Sequence, residues 1–328
     1  MKIDAHHHFI PEAIIELMKK DGKKINTEII IKDGKEFVSH TEGFIYPLLK
    51  GFYDYDAKME YLEGAGFDGA VLSVPPVLFY YWLPADVATY TSELCNDGIA
   101  DFVKKYPGKF WPMATVPMQD VDAAVKELER AHLKLGMNAV QIAPIIQGEY
   151  LDDPKFEKFY EVAEKYNMLI CLHPYYVGAA PPYDKYYEIN SIINPFTTTM
   201  GINRLIHGGM VEKYPKLKIL TVHGAGYYPY QLGRFMHTYK VRPEPKEKIS
   251  QSPEYYFMRN FYFDTVTHWE PSLKFLIEAF GADRVVTGTD YPFDMADLTP
   301  ISKVEKLPFD STEKKKIYSG NILELLGF

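Results

Sequence analysis

Short apolar runs, each followed by a segment of helical length, recur along the whole chain, and this alternation constrains the fold more than any other feature. The runs are Met1–Ala5, Phe67–Val74, Phe110–Val116, Ala139–Ala143, Met168–Leu172, Leu217–Val222, Phe261–Asp264 and Arg284–Gly288. They show little polar–apolar alternation, as expected of parallel strands buried on both faces. Helical patterns fill the gaps, at Pro11–Lys20 and over 54–63, 87–104, 121–134, 154–166, 195–213, 227–239, 270–280 and 312–326. Roughly eight strand–helix units predict an α/β chain, a distorted (β/α)8 TIM barrel, with a doubly wound open sheet as runner-up. No Gly-x-Gly-x-x-Gly follows an early strand to support a nucleotide site.

The chain has 328 residues, of which 47% are hydrophobic, enough for one large core. Residues 1–328 are read as one domain. Residues 22–50 form a small insertion after the first helix, with Asp33-Gly34 as a β-hairpin turn between two β-prone runs. The polar and aromatic stretch 175–190 interrupts the alternation. The net charge of −8 and the lack of a basic block exclude nucleic acid as a partner. No apolar run reaches the roughly 18 residues of a membrane span. Two cysteines, Cys95 and Cys171, do not make a disulfide scaffold, so a reducing, cytoplasmic setting fits. The 26 tyrosines suit a pocket with amphipathic walls or a subunit interface.

Histidines and one aspartate sit where strands end. His6-His7-His8 closes the first run, and alternation along a strand puts His6 and His8 on one face with His7 turned away. His173 follows the fifth run, His223 the sixth and Asp290 the eighth. In a barrel these ends meet at one mouth. Imidazole and carboxylate suit one divalent ion, zinc first with manganese as the alternative. An unligated histidine beside such an ion is a natural proton shuttle. The fourth run ends Gln141-Ile142-Ala143-Pro144, with no lysine to bridge a second ion. A remnant histidine tag is the bland alternative for His6–His8, but a tag sits outside a fold and these residues continue a core-like strand.

A set of motifs spanning nearly the whole chain resembles the decarboxylase branch of the amidohydrolase superfamily, whose type member is α-amino-β-carboxymuconate-ε-semialdehyde decarboxylase. The matching pieces are Lys2 to Pro11, Ser73-Val74-Pro75 with Tyr81-Trp82, Leu172-His173-Pro174, Gly208-Gly209-Met210 with Lys213 to Lys218, His223-Gly224-Ala225-Gly226, Gly233-Arg234 with His237 and Arg242-Pro243, and Gly288 to Phe293. The resemblance implies that His6, His8, His173 and Asp290 bind the metal and that His223 is the acid/base residue. It also implies a homodimer in which Arg234 reaches across the interface to the neighbouring subunit's substrate carboxylate. Two positions depart from the type member: Val38 stands where it has a substrate-binding arginine, and Tyr175 where it has a tryptophan.

Other candidates for the pocket are Trp82, Tyr175, Phe293 and His268 as substrate contacts, whereas His40, His132 and His207 lack companions. The expected activity is metal-dependent, non-oxidative decarboxylation of a conjugated or aromatic small-molecule carboxylic acid, with His223 or Asp290 moving the proton. The alternative is a metal-dependent hydrolase or hydratase acting on a lactone, amide or double bond with the same residues.

Overall fold

The computed structural model describes residues 1–175 and 185–328, so most of the stretch 175–190 lies outside the described residues. Parallel strands pair in two sets. Ile3–His8, Gly69–Ser73 and Phe110–Pro112 form a three-stranded set in that order. Ala114–Thr115, Ala139–Ile142, Leu169–Leu172, Lys218–Thr221, Phe261–Asp264 and Val285–Val286 form a six-stranded set in chain order. The single expected strand 110–116 is therefore broken at Met113, whose N–H donates to the Leu72 carbonyl at 2.9 Å. At the other edge the first strand meets the segment after Val286. Ala5 N–H donates to Thr287 O at 2.8 Å and His8 N–H to Tyr291 O at 2.9 Å.

Both faces of the strands are buried, which is why their sequences do not alternate. One face contributes Ile3, Val71, Met113, Ala139, Leu169, Leu220 and Val286 to a single cluster, packed against Ile322, Leu325 and Leu326 near the end of the chain. The opposite face, including Phe110, Val140, Ile170, Ile219 and Phe263, packs under the surrounding helices in a larger core.

The first helix, Glu12–Asp21, leads into the hairpin expected at Asp33-Gly34. Thr27–Lys32 and Lys35–His40 pair antiparallel, and Asp33 and Gly34 both have positive φ, as a two-residue turn of this twist requires. A third strand, Ile45–Pro47, adds to it. The long helix expected over 195–213 is instead Asn194–His207 and Met210–Lys213, separated by Gly208-Gly209, with Gly209 at φ 82°. The closing helix is likewise interrupted, as Ser311–Lys315 and Asn321–Leu326 around a wide π turn. Helices Pro253–Asn260 and Pro300–Lys306 lie in stretches where the sequence predicted none. No helix among the described residues is long and apolar enough to cross a membrane.

Buried amides lock helices to strands. Asn96, on helix Ala85–Lys105, accepts from Thr115 N–H at 2.9 Å and donates to Thr115 O at 2.8 Å and to Glu127 at 2.5 Å. Removing a fully buried side chain that satisfies three groups strands their polar atoms. Asn96→Ala is expected to lower stability by roughly 2–3 kcal/mol, read from the urea midpoint at unchanged m-value.

Candidate active site

The first strand is buried along its whole length, and its pairing register with Gly69–Ser73 shifts between Asp4 and His7. Strict alternation would put Asp4 on the face of His6 and His8. The shift instead brings Asp4 to His7, whose Nδ1–H donates to Asp4 Oδ2 at 2.9 Å. His6 and His8 keep the common face expected of them.

Four side chains meet there. His6, His8, His173 and Asp290 each offer one ligand atom, and these atoms lie within 4.8 Å of one another. Asp290 Oδ1 is 3.2 Å from His6 Nε2, 3.0 Å from His8 Nε2 and 3.7 Å from His173 Nε2. The far side of every ring is anchored. His6 Nδ1 donates to Asp264 Oδ2 at 2.7 Å, His8 Nδ1 to Val74 O at 3.2 Å and His173 Nδ1 to Pro174 O at 2.6 Å. With each proton held at Nδ1, each Nε2 lone pair points inward. His6 Nε2 and His173 Nε2 are buried without a hydrogen-bond partner. Inward lone pairs lacking a proton to accept are the groups a cation satisfies. Donor atoms about 2.1 Å from a tetrahedral ion stand roughly 3.4 Å apart, close to the three distances from Asp290 Oδ1. The four residues form a site consistent with one divalent metal ion.

Charge in this cluster is held against burial. Burial pushes the Asp290 carboxyl up, but His6 and the other imidazoles around it outweigh that and hold it well below the usual carboxylate range. Burial lowers His6, yet without an ion Asp290 and Asp264 override it and raise this imidazole to about 10, so that a cation bound at Nε2 would displace a proton. His173, with weaker support, is pushed down by burial to about 3.

His223 completes the group, its Nε2 3.4 Å from Asp290 Oδ2. Its backbone is left-handed, at φ 55° and ψ 45°, and Asp290 sits at φ 65°. Such conformations cost on the order of 1–3 kcal/mol each and collect at functional sites. Asp264 braces this geometry. Its Oδ2 holds the His6 ring while Oδ1 accepts from Gly224 N–H at 2.9 Å and Val266 N–H at 3.1 Å. Gly288 leaves the room: a Cβ there would lie 2.8 Å from His6 Cβ.

His173, His223 and Asp290 open onto a cavity walled by Tyr175, Phe293, Pro76, Val77 and Phe44, with Tyr187, Asn190 and Asn194 also lining it. Phe293 packs against His8, with ring centres 5.1 Å apart. Of the substrate contacts expected from sequence, Tyr175 and Phe293 stand on the wall. Trp82 does not; it stacks behind Tyr175 at 6.3 Å, in a second layer. His268 is exposed and lines a neighbouring depression that it shares with His223. Arg234 is exposed on helix Tyr228–Val241 and does not line the cavity of its own chain. Val38 is buried in the antiparallel sheet opposite Ile29 and Tyr46. Sequence reasoning gave Asp264 no role, although it ends a strand as His173 does. It also passed over Asn190, Asn194 and Phe44, which carry no local signature.

The family model Amidohydro_2, an amidohydrolase family, matches residues 3–328. The 2-amino-3-carboxymuconate-6-semialdehyde decarboxylase of Dictyostelium discoideum is 30% identical, over 100% of this chain and 92% of that protein. A gamma-resorcylate decarboxylase of Polaromonas sp. (strain JS666) is 27% identical over 82% of this chain and 86% of its own length. Among solved structures, a dihydroxybenzoic acid decarboxylase from Polaromonas sp. JS666 with bound manganese and the inhibitor 2-nitroresorcinol superposes with a TM-score of 0.81. It is 25% identical, covering 99% of this chain and 96% of that one.

Since Asp264 fixes the His6 ring without being one of the four converging donors, Asp264→Asn should leave the fold intact and weaken divalent-ion affinity by roughly 10–100-fold, measured by chelator competition.

Proposed function

The chain belongs to the amidohydrolase family, and on that premise we propose that it is a metal-dependent, non-oxidative decarboxylase of a conjugated or aromatic carboxylic acid. The observation that carries this reading is the convergence of three inward imidazoles and one carboxylate beside a cavity that His173 and Asp290 line, with His223 against the same carboxylate. His6, His8, His173 and Asp290 would hold one ion. Zinc suits the imidazole-rich set, and manganese in the similar Polaromonas enzyme keeps that ion as the alternative. When bound, the ion supplies Lewis-acid polarisation of substrate oxygens.

The chain's own residues do the rest. Phe293, Tyr175, Val77 and Pro76 present apolar surface to a flat conjugated substrate and exclude water around it. Asn190, Asn194 and Tyr187 offer neutral polar groups to its substituents. His223 Nε2 delivers a proton to the carbon bearing the carboxylate, with Asp290 as the other candidate. The bond from that carbon to the carboxylate breaks, its electron pair passes into the conjugated system and then to the proton, and carbon dioxide leaves. Asp290 is the weaker donor, since the imidazoles around it hold it ionised.

The same reading treats the two parallel sets as one distorted (β/α)8 barrel, a single domain with 22–50 as an insertion. Arg234, exposed on its own chain, is read as reaching a partner's pocket in a homodimer. Buried free thiols at Cys95 and Cys171 accord with a cytoplasmic setting.

Elemental analysis of untagged protein should give about one zinc or manganese per chain, lost in His6→Ala and Asp290→Ala. His223→Asn should retain the ion and lose roughly 10²–10⁴-fold in turnover. A panel of hydroxylated aromatic acids should release carbon dioxide. Addition of water to lactones, amides or double bonds without carbon dioxide release would favour the hydrolase or hydratase instead, and absence of bound ion would overturn both.

A further inference from the structure

Behind the first strand, on the side away from the cavity, lies a second buried polar group to which the chemistry above assigns no part. Lys58, on helix Tyr55–Ala65, is fully buried, and so are His7 and Asp4. An ammonium has three donors and no acceptor, and burying it without partners is costly. All three donors of Lys58 are matched: His8 O at 2.7 Å, Gly51 O at 2.7 Å and His7 Nε2 at 3.1 Å. With Lys58 as an ammonium its third N–H falls on His7 Nε2, which leaves the His7 proton on Nδ1 and directed at Asp4 Oδ2. Asp4 then accepts from Thr289 Oγ1 at 2.5 Å and from His6 N–H at 3.2 Å.

The chain Lys58–His7–Asp4–Thr289 therefore grips the peptide units of the cluster rather than its rings. It holds the carbonyl of His8, the N–H of His6 and the side chain of the residue before Asp290. These contacts come from one helix and two strand ends, and they depend on the register shift that turns Asp4 toward His7. We propose that Lys58 is the positioning residue of the metal centre, fixing the spacing of His6, His8 and Asp290 through the backbone. This rests on the reading of that cluster as a metal site.

The test titrates Zn²⁺ against wild-type, Lys58→Met and Thr289→Val protein by chelator competition, and records the visible absorption of Co²⁺-substituted samples. Asn96→Ala, a buried polar change on a helix that does not touch the cluster, controls for general destabilisation. Folded Lys58→Met should bind Zn²⁺ at least roughly tenfold more weakly than wild type, with an altered Co²⁺ spectrum. Thr289→Val should shift both readouts in the same direction, and Asn96→Ala should lower the melting temperature while leaving both unchanged. A folded Lys58→Met with Zn²⁺ affinity within about twofold of wild type and an unaltered Co²⁺ spectrum would overturn the proposal. If Lys58→Met does not fold, Thr289→Val decides by the same two readouts. Wild-type protein that binds neither ion would overturn the metal reading itself, a separate result.

Discussion

One buried carboxylate organises this molecule. Asp290 lies within hydrogen-bonding or near-contact distance of four imidazoles, in a place almost closed to water. Taking such a charge out of water costs several kcal/mol, and only close, well-oriented partners offset it. Each of those partners comes from the end of a different strand or from the first strand itself. The parallel arrangement is what lets them meet, because it aims all C-terminal ends toward one side. The smaller features follow from the same demand. Gly288 lacks a side chain where His6 passes, and His223 and Asp290 accept left-handed backbone to turn their side chains inward.

Much of this was legible in the sequence, for identifiable reasons. Apolar runs ending in His173, His223 and Asp290 mark strand ends because a ligand must leave the core just where the strand does. The two-residue spacing of His6 and His8 translates into a shared face. The hairpin at Asp33-Gly34 was readable because few residue pairs tolerate two consecutive positive φ angles. Amidohydrolase membership, implied by motifs scattered over the chain, holds over residues 3–328.

What was not legible has physical causes as well. Periodicity cannot show a register shift, so the pairing of Asp4 with His7 was hidden, and nothing in the helical pattern over 54–63 singled out Lys58 as buried. Gly208-Gly209 was read through as helix although Gly209 needs a backbone no helix offers. Trp82 was expected on the cavity wall because it follows a strand end, but side-chain depth depends on packing that spacing does not encode. Asn190 and Asn194 reach the cavity only through the fold of the segment that carries them.

The hydrogen bonds that tie the first strand to Thr287 and Tyr291 carry a further consequence, for the order in which the protein can mature. His6 and His8 are separated from Asp290 by nearly the full length of the chain. A polypeptide growing from its N-terminus exposes both histidines first and must keep them without their carboxylate until the last strand has emerged. Contacts of such long range close slowly, since a long loop must be ordered before they form. The His–Asp cluster is thus among the last parts of the molecule that synthesis can complete. A truncated or stalled chain would carry the imidazoles, Phe44 and Tyr175 without the group that draws them together.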